Sequence, residues 1–303
     1  MSKNSEFKNP SNQYRGRPFW SWNGNLKKDE LLRQIDILEE MGFGGYFCHS
    51  RTGLETEYLG EEWFDLINTC ADYGETKGMD SWLYDEDRWP SGSAGGLVAA
   101  KEENRMRYLQ MHQSAPQSFL WDDKALITFA CKLDGVSFSD ERVLCKEDTV
   151  NDDETVIWFT EELFRSSDNY NGFSYVDTMN KATTLEFIKS THEKYKAHCG
   201  SRLGKTIPGI FTDEPHRGAL FSEFSEGNTY AAPYTPKLFE EFEKRFGYDV
   251  KPRLLEFFLR KNGEEISQVT WHYIELCQEL FVENFAKPIY EWCTENHIAF
   301  TGH

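Results

Sequence analysis

Two acidic side chains, Asp213 and Glu214, stand where an apolar run through Ile207, Ile210 and Phe211 breaks off in front of Pro215. Isoleucine and phenylalanine favour strands and proline cannot prolong a central one, so the chain must leave its sheet about where the two acids sit. In parallel α/β architectures ligands bind at the carboxyl ends of the strands. A carboxyl pair delivered there can do general acid–base work; equally, an acid at that point can cap the following helix. Asp80–Tyr84 repeats the pattern and empties into Asp85, Glu86 and Asp87. Strand alternation keeps these three from sharing one cavity, and Arg88 can neutralise one, so a salt-bridge cluster accounts for at least two of them and Glu86 is kept for chemistry. His49 and Arg51 close a third apolar run, and Thr301 and His303 a fourth. A zinc site drawn from His49, His216, His303 and Asp213 is a competing chemistry. No HxH or HExxH spacing supports it, so no metal ligand is assigned.

Such groups need elements that end at a common level. Phe19, Trp20 and Trp22 form a short aromatic run turned by Asn23 and Gly24, the pattern of a strand and its turn. Leu31, Leu32, Ile35, Leu38 and Met41 then recur at helical spacing until Gly42. A second strand through Tyr46 and Phe47, a helix over Glu61–Lys77 closed by Gly78, and a third strand follow. Three strand–turn–helix units in succession predict a parallel sheet or barrel. An open doubly wound sheet would begin the same way, but no GxGxxG follows the first strand.

From Leu109 to Phe164 apolar and polar residues alternate between acidic and glycine turns, which predicts a small antiparallel β insertion. Asp177–Cys199 returns to a helical pattern, Tyr234–Phe246 and Gln268–Asn296 read as amphipathic helices, and HIAFTGH ends the sequence as a strand. The predicted fold class is therefore α/β, of (β/α)8 TIM-barrel type, incomplete, with about five barrel strands where a closed barrel has eight. The expected divisions are a polar leader at 1–16 that lies on the surface or frays, strands 1–3 with their helices in 17–108, the insertion in 109–164, and strands 4–5 with helices in 165–303. The strand count implies the front part of a longer protein or an irregular fold, and open apolar edges would favour self-association.

The 303 residues carry a formal net charge of -18, which disfavours nucleic acid and anionic membrane surfaces as partners. Seven scattered cysteines without a CxxC pair make neither a disulfide framework nor a zinc ribbon, so reduced thiols are expected. The polar N-terminus and the lack of a long apolar run make the cytoplasm the expected compartment.

The segments RPFWSWNG, GGYFCHSRTGLETEYLGEEWF, WLYDEDRWPSGSAGG, GKTIPGIFTDEP and FTGH together resemble the catalytic barrel of bacterial α-L-rhamnosidase-type glycoside hydrolases. The likeness runs over nearly all of residues 17–303. It implies hydrolysis of a glycosidic bond, with a carbohydrate as partner, and a terminal deoxysugar such as α-L-rhamnose as substrate. Such hydrolysis takes one protonated and one ionised carboxyl group. By the family's pattern Glu214 is the acid, its proton retained beside the charge of Asp213, with Asp213 as the alternative catalytic or structural acid. The resemblance implies inversion, with the base on a later strand; an inactive or truncated carbohydrate-binding fragment is the alternative. His49 and Arg51 are expected to bond sugar hydroxyls, with Tyr84, Asp85 and His303 lining the cleft. Trp20, Trp22 and Trp89 can offer a platform for a pyranose ring; core packing is the competing role for Trp20 and Trp22, which share a strand face. Asn23 anchors a hydroxyl or only turns the chain. No cofactor is required, although the family's association with calcium extends to this chain as a compatible ion.

Overall fold

A computed structural model describes residues 7–218, 230–265 and 267–303. The chain divides into two compact units: Met1–Asn104, Ser166–Pro215 and Asn284–His303 form the first, Arg105–Arg165 and His216–Glu283 the second.

The first unit opens with β1 (Phe19–Gly24), α1 (Lys28–Glu40), β2 (Gly45–Leu54), α2 (Glu61–Thr76) and β3 (Asp80–Tyr84). The chain then enters the second unit, where β4 (Arg107–Ser114), β5 (Ile127–Asp134), β6 (Ser137–Val143) and β7 (Thr155–Leu163) are the expected insertion. It returns through α3 (Lys181–Ser190), α4 (His192–Cys199) and β8 (Gly209–Thr212), and leaves again into β9 (Ala231–Tyr234), α5 (Leu238–Phe246), β10 (Arg260–Lys261) and α6 (Gln268–Phe281). A π-helical turn, Val282–Ala286, and α7 (Lys287–Glu295) lead into β11 (Ala299–Gly302).

In the first unit five strands form one sheet in the order β1-β2-β3-β8-β11, and every pair is parallel. Among the described residues no strand joins β11 to β1, so the sheet is an open run of five rather than a closed barrel. Parallel strands are buried on both faces, and parity separates the two. Trp20, Trp22, Tyr46 and Leu83 are buried on the helix side, where Trp22 meets Trp63 of α2 edge-on at 5.1 Å. The opposite, inner face carries Phe47, Tyr84 and Phe211 in one cluster, flanked by Trp82 and Phe19. β8 begins with glycine for a physical reason: a Cβ on Gly209 would lie 2.2 Å from the Trp82 ring.

The described part of the leader is bonded to the strand starts rather than frayed. Asn12 Nδ2 donates to Gly78 O at 2.6 Å, Arg15 to Pro10 O and Gly42 O, and Arg17 pairs with Asp80.

The second unit is a six-stranded sheet in the order β10-β6-β5-β7-β4-β9, antiparallel except where β10 meets β6. Residues 216–283, expected with the barrel strands, belong here because β9 adds to the edge of β4 and Tyr273 of α6 bonds the carbonyl of Pro233 in β9. All seven cysteines are free thiols, and no described helix is long and apolar enough to cross a membrane.

Candidate functional site

The inner face of the first unit's sheet turns polar at the strand ends. By parity β1 offers Ser21 and Asn23, β2 His49 and Arg51, β3 Tyr84 and then Glu86, β8 Phe211 and then Asp213, and β11 Thr301 and then His303. The acids at the end of β8 differ sharply in how they are held. Asp213 is buried: Tyr84 donates its hydroxyl to Oδ2 at 2.6 Å, His303 Nδ1 lies 3.0 Å from Oδ1, and the Asp213 amide donates to Ser91 Oγ at 2.7 Å. Glu214 has a half-exposed side chain, bonded at Oε2 by the indole N–H of Trp89 at 3.1 Å. Its backbone is left-handed, with φ 43°, a conformation that L-residues adopt at a cost.

Glu86 lies behind them, buried, with Oε1 3.5 Å from His49 Nε2 and Oε2 without a hydrogen-bond partner. Burial above all, then the negative charges of Asp213 and Asp85, push its pKa up to about 9, against the opposing charge of Arg51. Burial, followed by the Arg51 charge, drives His49 down to about 3. At neutral pH both groups are therefore uncharged, and their contact is a polar contact between neutral groups, not an ion pair. His49 also stacks on Tyr84 with ring centroids 3.5 Å apart, so the two share one position against the floor. Burial, then the bond to Asp213, raises the Tyr84 phenol, which keeps it a donor.

One ligand atom each from Asp213, Glu214 and His303 lie within 4.8 Å of one another, an arrangement able to hold a cation. The imidazole nitrogen sets this trio apart from the all-oxygen shells of calcium, and the Asp213–His303 hydrogen bond accounts for its closeness without an ion.

No family model matches this chain, and no curated protein matches it. A solved structure does. The rhamnosidase from Novosphingobium sp. PP1Y shares its fold with a TM-score of 0.61 at 12% sequence identity, over 100% of this chain. The chain spans about half of that protein, 47% of its length. At this identity the likeness is one of fold, and it agrees at that level with the expected rhamnosidase-type architecture.

The structure brings together Asp213, Glu214, Glu86, His49, Tyr84, Trp89 and His303. Asn23 and Arg51 are exposed on the same inner parity. Three expected cleft residues lie elsewhere. Trp20 and Trp22 share a face, as expected, but it is the helix-facing one, where they pack on Tyr46, Trp63 and each other and can offer no platform to a sugar. Asp85, opposite in parity to Tyr84 and Glu86, is wholly buried on that same side and bonded by Ser91 and Thr212, so it does not line a cleft. Tyr84 is buried beneath Asp213 and serves as its donor rather than as an open contact. His216 belongs to the second unit.

Sequence reasoning gave no site role to Ser91, Thr212 or Phe19. A serine inside the turn RWPSGS was the available sign for the first, since hydroxyls in Pro/Gly turns bond nearby backbone. A cavity of about 410 Å3 also opens within the second unit, lined by Met106, Tyr108, Phe164 and Pro233 among others. Among the described residues its walls hold no carboxyl or imidazole group, so the acid cluster rather than cavity size marks the site.

Proposed function

We propose that this chain carries the acid end of a glycoside hydrolase site for a terminal deoxysugar such as α-L-rhamnose, with Glu214 as the general acid. The observation that carries the reading is the contrast between the two adjacent carboxyls. Both oxygens of Asp213 are engaged at hydrogen-bond distance by Tyr84 and His303, whereas Glu214 projects from a strained turn with one hydrogen bond, from the Trp89 indole, and with His303 Nδ1 3.9 Å from its other oxygen. Strain kept at a strand end is where function is expected to sit, and a fold shared with a rhamnosidase supports the reaction class. Asp213 then orients, and Arg51, Asn23 and Trp89 face the sugar, with His49, expected to bond a hydroxyl, buried beneath them against Tyr84. Inversion is the favoured course, with an ionised carboxylate activating water on the far side of the ring. The pKa of Glu86, pushed up to about 9 chiefly by burial, weighs against that group as the ionised carboxylate.

The same neutrality favours a second reading, a carbohydrate-binding module of this fold that does not turn over. A panel of aryl glycosides separates the two. Cleavage of the α-L-rhamnoside or a related deoxyglycoside is expected, with Glu214→Gln lowering it about 10²- to 10⁴-fold while thermal unfolding stays within a degree or two. Undiminished cleavage by that variant would remove Glu214 as the acid; sugar binding without any cleavage by the parent protein would leave the binding module standing.

A further inference from the structure

Asp85 is a buried acid with no open path to a ligand, yet both of its oxygens are used. Oδ1 accepts the Ser91 hydroxyl at 2.6 Å and Oδ2 the Thr212 hydroxyl at 2.5 Å. Ser91 passes the connection on: its Oγ accepts the Asp213 amide at 2.7 Å and its own amide donates to Asp213 O at 2.9 Å. Tyr175 fixes Ser91 in turn by donating its hydroxyl to the Ser91 carbonyl at 2.7 Å. Both backbone groups of Asp213 are thus taken by one serine, at the point where the next residue goes left-handed.

From this geometry we infer that Asp85 is a positioning residue, which through Ser91 and Thr212 holds the end of β8 so that the Glu214 carboxyl is set beside Trp89; the inference rests on the glycosidase reading above. An apolar side chain would fill the same pocket without the desolvation cost of an acid. What the acid adds is direction, since its two lone-pair edges bind hydroxyls from two separate segments and lock their spacing. A carboxyl group misplaced by about 1 Å costs on the order of 10² in rate, so the lock matters for chemistry more than for folding.

Asp85→Asn is the direct variant, but it disturbs a fully buried site and can fail to fold. Thr212 gives a cleaner pair: Thr212→Val keeps the shape and loses the hydroxyl, and Thr212→Ser keeps the hydroxyl. Two readouts are taken on the full chain, kcat against KM for the cleaved aryl glycoside, and the amide-type NMR resonance of the Trp89 indole N–H, assigned by its loss in Trp89→Phe. Thr212→Val is expected to lower kcat by about 10- to 100-fold at unchanged KM and to move the Trp89 resonance, and Thr212→Ser to restore both. Equal effects of the two variants, or an unmoved Trp89 resonance in Thr212→Val, would overturn the positioning role. A parent chain that cleaves no glycoside removes the glycosidase reading instead, and the Trp89 resonance still decides whether Asp85 acts on Glu214.

Discussion

The two faces of the first unit's parallel sheet are built from the same five strands and serve opposite ends. Toward the helices, Trp20, Trp22, Tyr46 and Leu83 are sealed against α1 and α2, and even the acid Asp85 is enclosed with every oxygen bonded. On the inner face the same strands place Phe19 nearly half exposed, then His49, Glu86, Asp213 and, past the last, Glu214. One residue of register decides which role a side chain takes. Neighbours such as Asp85 and Glu86, identical in charge, become a structural tie and a neutral acid within the site.

The comparison can be broken at its apolar ends first. Trp22→Ala on the sealed face should cost about 3–5 kcal/mol in denaturant unfolding. Phe19→Ala on the inner face should cost about 2 kcal/mol, because nearly half of the ring already meets solvent and less transfer energy is lost. Equal losses would mean that the faces are packed alike.

Glu86 offers a pH test of the same contrast. Its pKa is raised on folding from 4.5 to about 9, so the folded state keeps a proton that the unfolded chain releases. That contribution is complete below about pH 4.5 and is lost as pH rises through 9, with stability falling by on the order of 1 kcal/mol per pH unit. His49, lowered to about 3, acts in the opposite sense and only below its ordinary value of 6.5, and Asp85, raised to about 7, is half titrated at neutrality and completes its titration about one pH unit higher. Between about pH 8 and 9 the slope is therefore carried by Glu86 among these groups. Melting temperatures across that interval should fall for the parent and stay level for Glu86→Gln; parallel slopes would show that Glu86 is ionised at neutral pH.

The smallest effect is expected from Tyr84→Phe, which removes the donor to Asp213 and keeps the ring. The loss should be about 1 kcal/mol in chemical denaturation, together with a shifted acid limb in any pH–rate profile. An unchanged profile would detach Tyr84 from Asp213 during turnover.

How much of this was legible in the residues follows from the same two faces. The strands and the polar level at which they end could be read directly, because Gly, Pro and acidic residues punctuate apolar runs after Tyr46, Leu83 and Phe211. The antiparallel insertion was legible too, since one-sided burial leaves an alternating pattern. Parity was not. With both faces of a parallel strand buried, tryptophan at 20 and 22 looks the same whether it meets a helix or a sugar, and nothing local distinguishes Asp85 from Glu86. The departure of 216–283 into the second unit was hidden for a different reason: its β9 is four residues long and finds its partner β4 more than a hundred positions away.

The left-handed backbone at Glu214 sets two kinds of selection against each other. Glycine, and to a lesser degree asparagine, occupies φ 43° at less cost than glutamate. A library varied at this one codon and screened for heat resistance alone should drift toward those residues, whereas the same library screened on a glycoside should return glutamate. The position would then record, in a sorted population, how much fold stability the protein gives up to keep a carboxyl group at the end of β8.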